Sequence, residues 1–116
     1  MKNAFILVII FCTSFCFAQK QDLKKTIKEE SIGGSLDFTK TIEEKYSSAP
    51  FIRFGDILYN KKDFAILFWG TKVKYLGIES LDEAIKLWEE IHERKLTKPE
   101  SKALKTGFET KLESGY

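Results

Sequence analysis

Apolar and polar positions divide the chain into stretches of different period. Residues 4–17 are almost unbroken apolar. From Gln19 to Glu30 the only apolar residues are Leu23 and Ile27. They stand four apart, so this segment predicts a helix with one thin apolar stripe. Ser31-Ile32-Gly33-Gly34-Ser35 breaks it, because adjacent glycines make a poor helix interior. In Leu36 to Ser47, Phe38, Ile42 and Tyr46 recur at steps of four. This predicts a second helix, with Ser35 as its N-cap and Asp37 in its first turn. Leu36, Phe38 and Thr39 also start like a strand, which is the rival reading of 36–47. Ala49 before Pro50 is pushed toward extended geometry and closes the segment.

The pattern then changes. Phe51-Ile52-Arg53-Phe54 and Ile57-Leu58-Tyr59 are β-type runs interrupted by Gly55-Asp56, and Asn60-Lys61-Lys62 reads as a turn. In Asp63 to Trp69, alternation puts Phe64, Ile66 and Phe68 on one face and Ala65, Leu67 and Trp69 on the other. Both faces are apolar, as in a covered central strand. Gly70-Thr71-Lys72 reads as the next turn. Val73 and Tyr75 alternate with Lys72 and Lys74, giving a third strand with one wet face. Short turns between such runs predict an antiparallel meander.

The next segment has the clearest helical pattern. Ser80-Leu81-Asp82-Glu83 has the form of a capping box. Leu81, Ala84, Ile85, Trp88 and Ile91 make one apolar stripe. Asp82 and Lys86, and Glu90 and Arg94, are i,i+4 pairs in the favourable direction. This helix is expected to cover the sheet through Ile85, Trp88 and Ile91, and to end before Pro99. Pro99 to Lys105 suggests a further short helix with proline at its first position. The expected fold class is therefore α+β: a small three-stranded antiparallel meander with helices packed on it, N-terminal helices and a C-terminal amphipathic helix. The expected divisions are 1–18, 19–34, a single core domain at 35–98, and a polar extension at 99–116.

Residues 1–18 have the form of a secretory signal. Lys2 supplies the positive charge, and the apolar run of about 14 residues falls short of the ~20 that a spanning helix needs. Small residues at Cys16 and Ala18 place cleavage between Ala18 and Gln19. Phe11 before Cys12 and Phe15 before Cys16 do not suit a lipid-attachment site. Both cysteines of the chain lie in this segment. The remaining 98 residues thus have no disulfide, thiol nucleophile or thiolate ligand. Export without cysteine, in a chain rich in Lys, Ile and Phe, points to a bacterial periplasmic or secreted protein. Cleavage removes Lys2 alone, leaving 18 basic against 17 acidic residues. That balance gives no reason to expect nucleic acid or an anionic membrane surface as partner.

Few side chains suggest chemistry. His92 is the one histidine, four residues after Trp88 and three after Glu89. A base oriented by Glu89 is one reading; an imidazole stacked on Trp88 at the stripe's edge is the simpler one. One histidine without cysteine leaves no common zinc site. The pairs Glu29-Glu30, Glu43-Glu44 and Glu89-Glu90 are adjacent, and adjacent helical residues do not face each other. Gly33-Gly34-Ser35 lacks the remaining elements of a phosphate loop. Lys61, Lys62, Lys72 and Lys74 suit protected strand edges and turns. Trp69 reads as core, while Tyr59 and Tyr75 are candidates for a binding surface. No catalytic, cofactor or metal residues are assigned.

The expectation for function is a small exported non-enzymatic domain that binds a protein, peptide or glycan in the cell envelope. The alternative is a small envelope hydrolase using paired carboxylates. The signal reading predicts that protein recovered from the envelope or medium begins at Gln19. Its intact mass tests this, and a mass that still includes residues 1–18 contradicts it.

Overall fold

Asn60 is where the expected fold and the observed one part. In the computed structural model, which describes residues 19–110, Asn60 is a helix cap. Its side-chain Oδ1 accepts the Asp63 N–H at 2.7 Å, and a 16-residue helix follows. The elements are α1 (residues 19–31), α2 (Phe38–Lys45), β1 (Phe51–Phe54), β2 (Ile57–Asn60), α3 (Lys61–Leu76), α4 (Leu81–His92) and α5 (Lys98–Glu109). The signal-like residues up to Ala18, and the last six residues, lie outside the described part.

The three-stranded meander is corrected. Among the described residues the one sheet is the antiparallel pair β1–β2, and the fold is mostly helical. The runs expected as second and third strands, Phe64–Trp69 and Val73–Tyr75, are successive turns of α3. The physical reason is burial. Phe64, Ala65, Ile66, Leu67, Trp69, Gly70, Thr71 and Val73 are all buried. A helix enclosed on nearly every side shows no polar stripe, so its short apolar run has the same appearance as a two-faced strand. Gly70, expected as a turn, sits inside α3. A Cβ there would lie 2.8 Å from both Cδ1 and the carbonyl oxygen of Leu104 in α5. The glycine serves a close helix crossing. The true end of α3 is Gly77, at φ +129. The Gly77 N–H reaches the Lys74 carbonyl, and the Ile78 N–H reaches Val73. These are the two bonds of a Schellman cap, and Val73 and Ile78 both belong to one buried apolar cluster.

The hairpin takes its register from Gly55-Asp56, with Phe54 opposite Ile57 and Ile52 opposite Tyr59. Gly55 has φ +63, as the first central residue of a type II′ turn requires, while Asp56 does not have positive φ. Ile52 and Tyr59 point into the protein; Phe51, Ile57 and Leu58 are exposed.

Other boundaries shift. The N-cap of α2 is Asp37 rather than Ser35; its carboxylate accepts the N–H groups of Thr39 and Gly33. Ser80 caps α4 by accepting the Glu83 N–H, but the Glu83 carboxylate holds Lys20 of α1 at 3.0 Å. The helix stops at His92, because Glu93 adopts left-handed geometry, φ +54. The expected polar extension also needs correction. Thr97 and Glu100 form a capping box, and Ala103, Leu104, Gly107 and Phe108 of α5 are buried. This spacing of one, three and one keeps them on one helical face.

Two apolar clusters lie on opposite flanks of α3. One joins Ile27 of α1, Trp69 and Val73 of α3, Leu87 and Trp88 of α4, and Leu104 and Phe108 of α5. The other surrounds Phe64 with Ile42, Ile52, Tyr59, Leu67 and Ala103. Phe64 meets Phe68 edge-on at 5.0 Å and lies 6.4 Å from the Tyr59 ring.

Candidate functional site

The C-terminal end of α1 and the first turn of α2 approach α3 and α4 without closing on them. A cleft of about 310 Å³ remains. Its apolar wall is Leu36, Phe38, Ala65, Ile66, Trp69 and Trp88, and its polar atoms come from Ser31, Asp37, Thr39, Lys62, His92 and Arg94. The volume is at the small end for ligand pockets.

Local structure fixes each polar group. Ser31 ends α1 and is buried. Its hydroxyl donates to the Ile27 carbonyl and accepts the Trp69 indole N–H at 2.9 Å, so its one proton is committed within the protein. Asp37 is committed to capping α2. Glu93, in left-handed geometry, turns the chain after α4, and the Arg94 guanidinium lies 4.7 Å from the centre of the Trp88 ring. The His92 ring stacks on the same indole at 4.2 Å. Desolvation against this surface, and then the Arg94 charge, lower the His92 pKa from 6.5. Both favour the neutral imidazole.

Arg94 is held from below by Glu100. Its two terminal nitrogens donate to the two carboxylate oxygens at 2.8 and 2.7 Å. The Thr97 N–H adds a bond to Oε1 at 2.9 Å, and Lys62 lies 3.6 Å from Oε2. The Glu100 side chain is only 4% exposed. The Arg94 hydrogen bonds, ahead of those from Thr97, bring its pKa down to about 2 against the desolvation that opposes them. Asp63 shifts upward, first by desolvation and then by the nearby Glu100 charge.

The residues singled out in the sequence are dispersed. Tyr59 is 6% exposed and belongs to the Phe64 cluster, so it offers no surface. Tyr75 is 71% exposed on the last turn of α3, with the Lys72 ammonium 5.7 Å from its ring centre; it is not part of the cleft wall. His92 has its stacking partner, but Glu89 does not orient it. The Glu89 carboxylate accepts the Leu96 N–H at 2.9 Å. Among the paired carboxylates, Glu30 accepts the Ser35 N–H, Glu43 meets Lys61, and Glu90 meets Lys28. Asp37 is the one carboxylate among the cleft's described lining residues, and no group of three potential metal ligands occurs among them. Sequence reasoning missed the grouping of Ser31, Thr39, Lys62 and Arg94. Thr97-Lys98-Pro99-Glu100 was the available signal, since it marks the helix start that anchors Arg94.

No protein-family model, curated protein or solved structure matches the chain.

The Glu100 arrangement predicts a pH dependence. A carboxyl group with a depressed pKa in the folded state stabilises fully above its unfolded value. Here that contribution is lost as pH falls from about 4.5 toward 2. The shift corresponds to a contribution on the order of 3 kcal/mol. Urea denaturation across this range is expected to show a shallower loss of stability for Glu100→Gln than for the wild type. Equal slopes would contradict the assignment.

Proposed function

We propose that the protein is an exported, non-enzymatic binding module of the bacterial cell envelope that holds a short segment of a peptide or protein partner in the cleft. The observation that carries this reading is the cleft's composition. An apolar wall from three helices and the α1–α2 loop meets a rim of Thr39, Lys62, His92 and Arg94. An apolar wall with a few placed polar groups is the usual form of a recognition site. The hydrolase alternative has less support, because it requires two carboxylates converging on a substrate with lone pairs to spare. The Glu100 oxygens are engaged by Arg94, Thr97 and Lys62, and Asp37 by backbone N–H groups.

Nuclear magnetic resonance of the exported protein with a mixture of random tetrapeptides tests the proposal. The indole N–H signals of Trp69 and Trp88 are expected to shift together, along with backbone signals of Thr39 and Lys62. Thr39 is exposed at the rim, so Thr39→Phe should obstruct the mouth, leave the fold intact and abolish the shifts. Shifts confined to Phe51, Ile57 and Leu58 on the hairpin would move the binding surface there and overturn the proposal.

A further inference from the structure

The hairpin leaves both sides of its sheet open. Among the described residues β1 and β2 are the whole sheet, so each strand has one unpaired edge. The register decides which main-chain groups point there. Phe54 and Ile57 flank a two-residue turn, and Ile52 faces Tyr59, so these two pairs exchange the ladder bonds. Arg53 and Leu58, opposite each other between them, turn their N–H and C=O groups outward. No other backbone group among the described residues bonds them. Exposed apolar side chains gather at the same place: Phe51 is 58% exposed, Ile57 53% and Leu58 61%. Leu58 and Phe51 are diagonal neighbours on the outer face. An open edge with apolar neighbours is a template for pairing with another strand.

The two edges are not equivalent. β1 follows Pro50, which has no N–H to give, and carries the charge of Arg53. Pairing two copies about Arg53 would set one guanidinium opposite the other. Proline and charge are both devices that protect an edge. β2, Ile57 to Asn60, has neither. Antiparallel pairing about a two-fold axis must bring outward-facing residues together. Centring it on Leu58 does so, and the two Leu58 residues then exchange both main-chain bonds. The same register sets Asp56 opposite Asn60 and beside Lys61 of the second copy. Asp56 is exposed and makes no ion pair among the described residues.

We propose that β2 is a self-association edge: two copies pair antiparallel through Ile57–Asn60 about a two-fold axis at Leu58, joining their hairpins into one four-stranded sheet. A second copy fits because one isologous contact satisfies both edges and repeats the Asp56–Lys61 attraction twice. α3 begins at Lys61 and ends the ladder there. So short a strand falls well below the ~800 Å² that each partner buries in a stable complex, so the dimer is weak and reversible.

Sedimentation equilibrium of the exported protein, up to a concentration of about 1 mM, is expected to show reversible dimerisation. Leu58→Lys sets two ammonium groups across the axis at an exposed position and should weaken association by about tenfold or more. Arg53→Gln, on the other edge, should leave it unchanged. Without residues 1–18 the chain has no cysteine, so single cysteines report the register. Under mild oxidation Leu58→Cys should link two copies, since paired residues about 5.5 Å apart at Cα lie within disulfide reach. Arg53→Cys should link far more slowly. A wild-type monomer across the whole range would overturn the proposal and leave the edge to some other extended chain. Dimerisation unaffected by Leu58→Lys, or Arg53→Cys linking as fast as Leu58→Cys, would overturn it in favour of a different surface.

Discussion

The contact between α3 and α5 is the constraint on which the rest of the structure depends. It is closer than ordinary side chains allow. Gly70 of α3 lies against the Leu104 backbone, and Gly107 of α5 lies against the Leu67 carbonyl so tightly that a Cβ would overlap it. The buried Thr71 hydroxyl donates across the crossing to the Gly107 carbonyl at 2.8 Å, with the Leu67 carbonyl of its own helix at 3.2 Å. Two glycines in helix interiors cost about 1 kcal/mol each relative to alanine. The approach they permit brings Leu104 and Phe108 into one apolar cluster and Ala103 into the other. α3 thereby becomes a central helix with partners on almost every side.

The cleft depends on this crossing through Glu100. The carboxylate sits in the first turn of α5, buried between α3 and the end of α4, and it secures Arg94 by two hydrogen bonds and attracts Lys62. A buried charge is costly unless its oxygens are satisfied, and here three N–H donors and an ammonium do so. The result is a fixed rim. Arg94 is held over the Trp88 indole, while Lys62 is left projecting from the start of α3. The Trp69–Ser31 hydrogen bond fixes the other wall by tying α1 to the same central helix.

Legibility in the sequence follows from exposure. α4 was readable because it has one wet face: Ser80, the stripe of Ala84, Ile85 and Trp88, and the charges opposite all show in the pattern. α2 was half legible: Phe38, Ile42 and Tyr46 gave the helical spacing, while Leu36, Phe38 and Thr39 left a strand open. α3 was not, because a helix buried on nearly all sides has no contrast between faces. Asn60 and Gly70, which resemble turn residues locally, serve as a cap and as a crossing point in three dimensions. The Phe51–Tyr59 run was recognisably β, and Gly55-Asp56 held the hairpin turn that divides it. α5 left traces in Thr97 with Glu100 and in Ala103, Leu104, Gly107 and Phe108, but its high lysine content obscured them. Apart from the helix start at Thr97 and Glu100 that anchors Arg94, the cleft was not legible in the sequence. Its residues come from positions 31 to 94, and only folding makes them neighbours. His92 on Trp88 was visible as an i,i+4 pair, whereas the burial of Tyr59 followed from the unforeseen position of Phe64.

Gly107→Ala measures the central constraint most directly, because the two possible outcomes differ in sign. In a helix with room for a methyl group, replacing glycine by alanine stabilises by about 1 kcal/mol. At a crossing where the methyl meets backbone, α5 must separate from α3. The account predicts a loss of at least the ~3 kcal/mol at the upper end of ordinary overpacking, with a urea midpoint far below that of the wild type. A midpoint equal to or above the wild-type value would contradict it, since α5 would then not lie against Leu67.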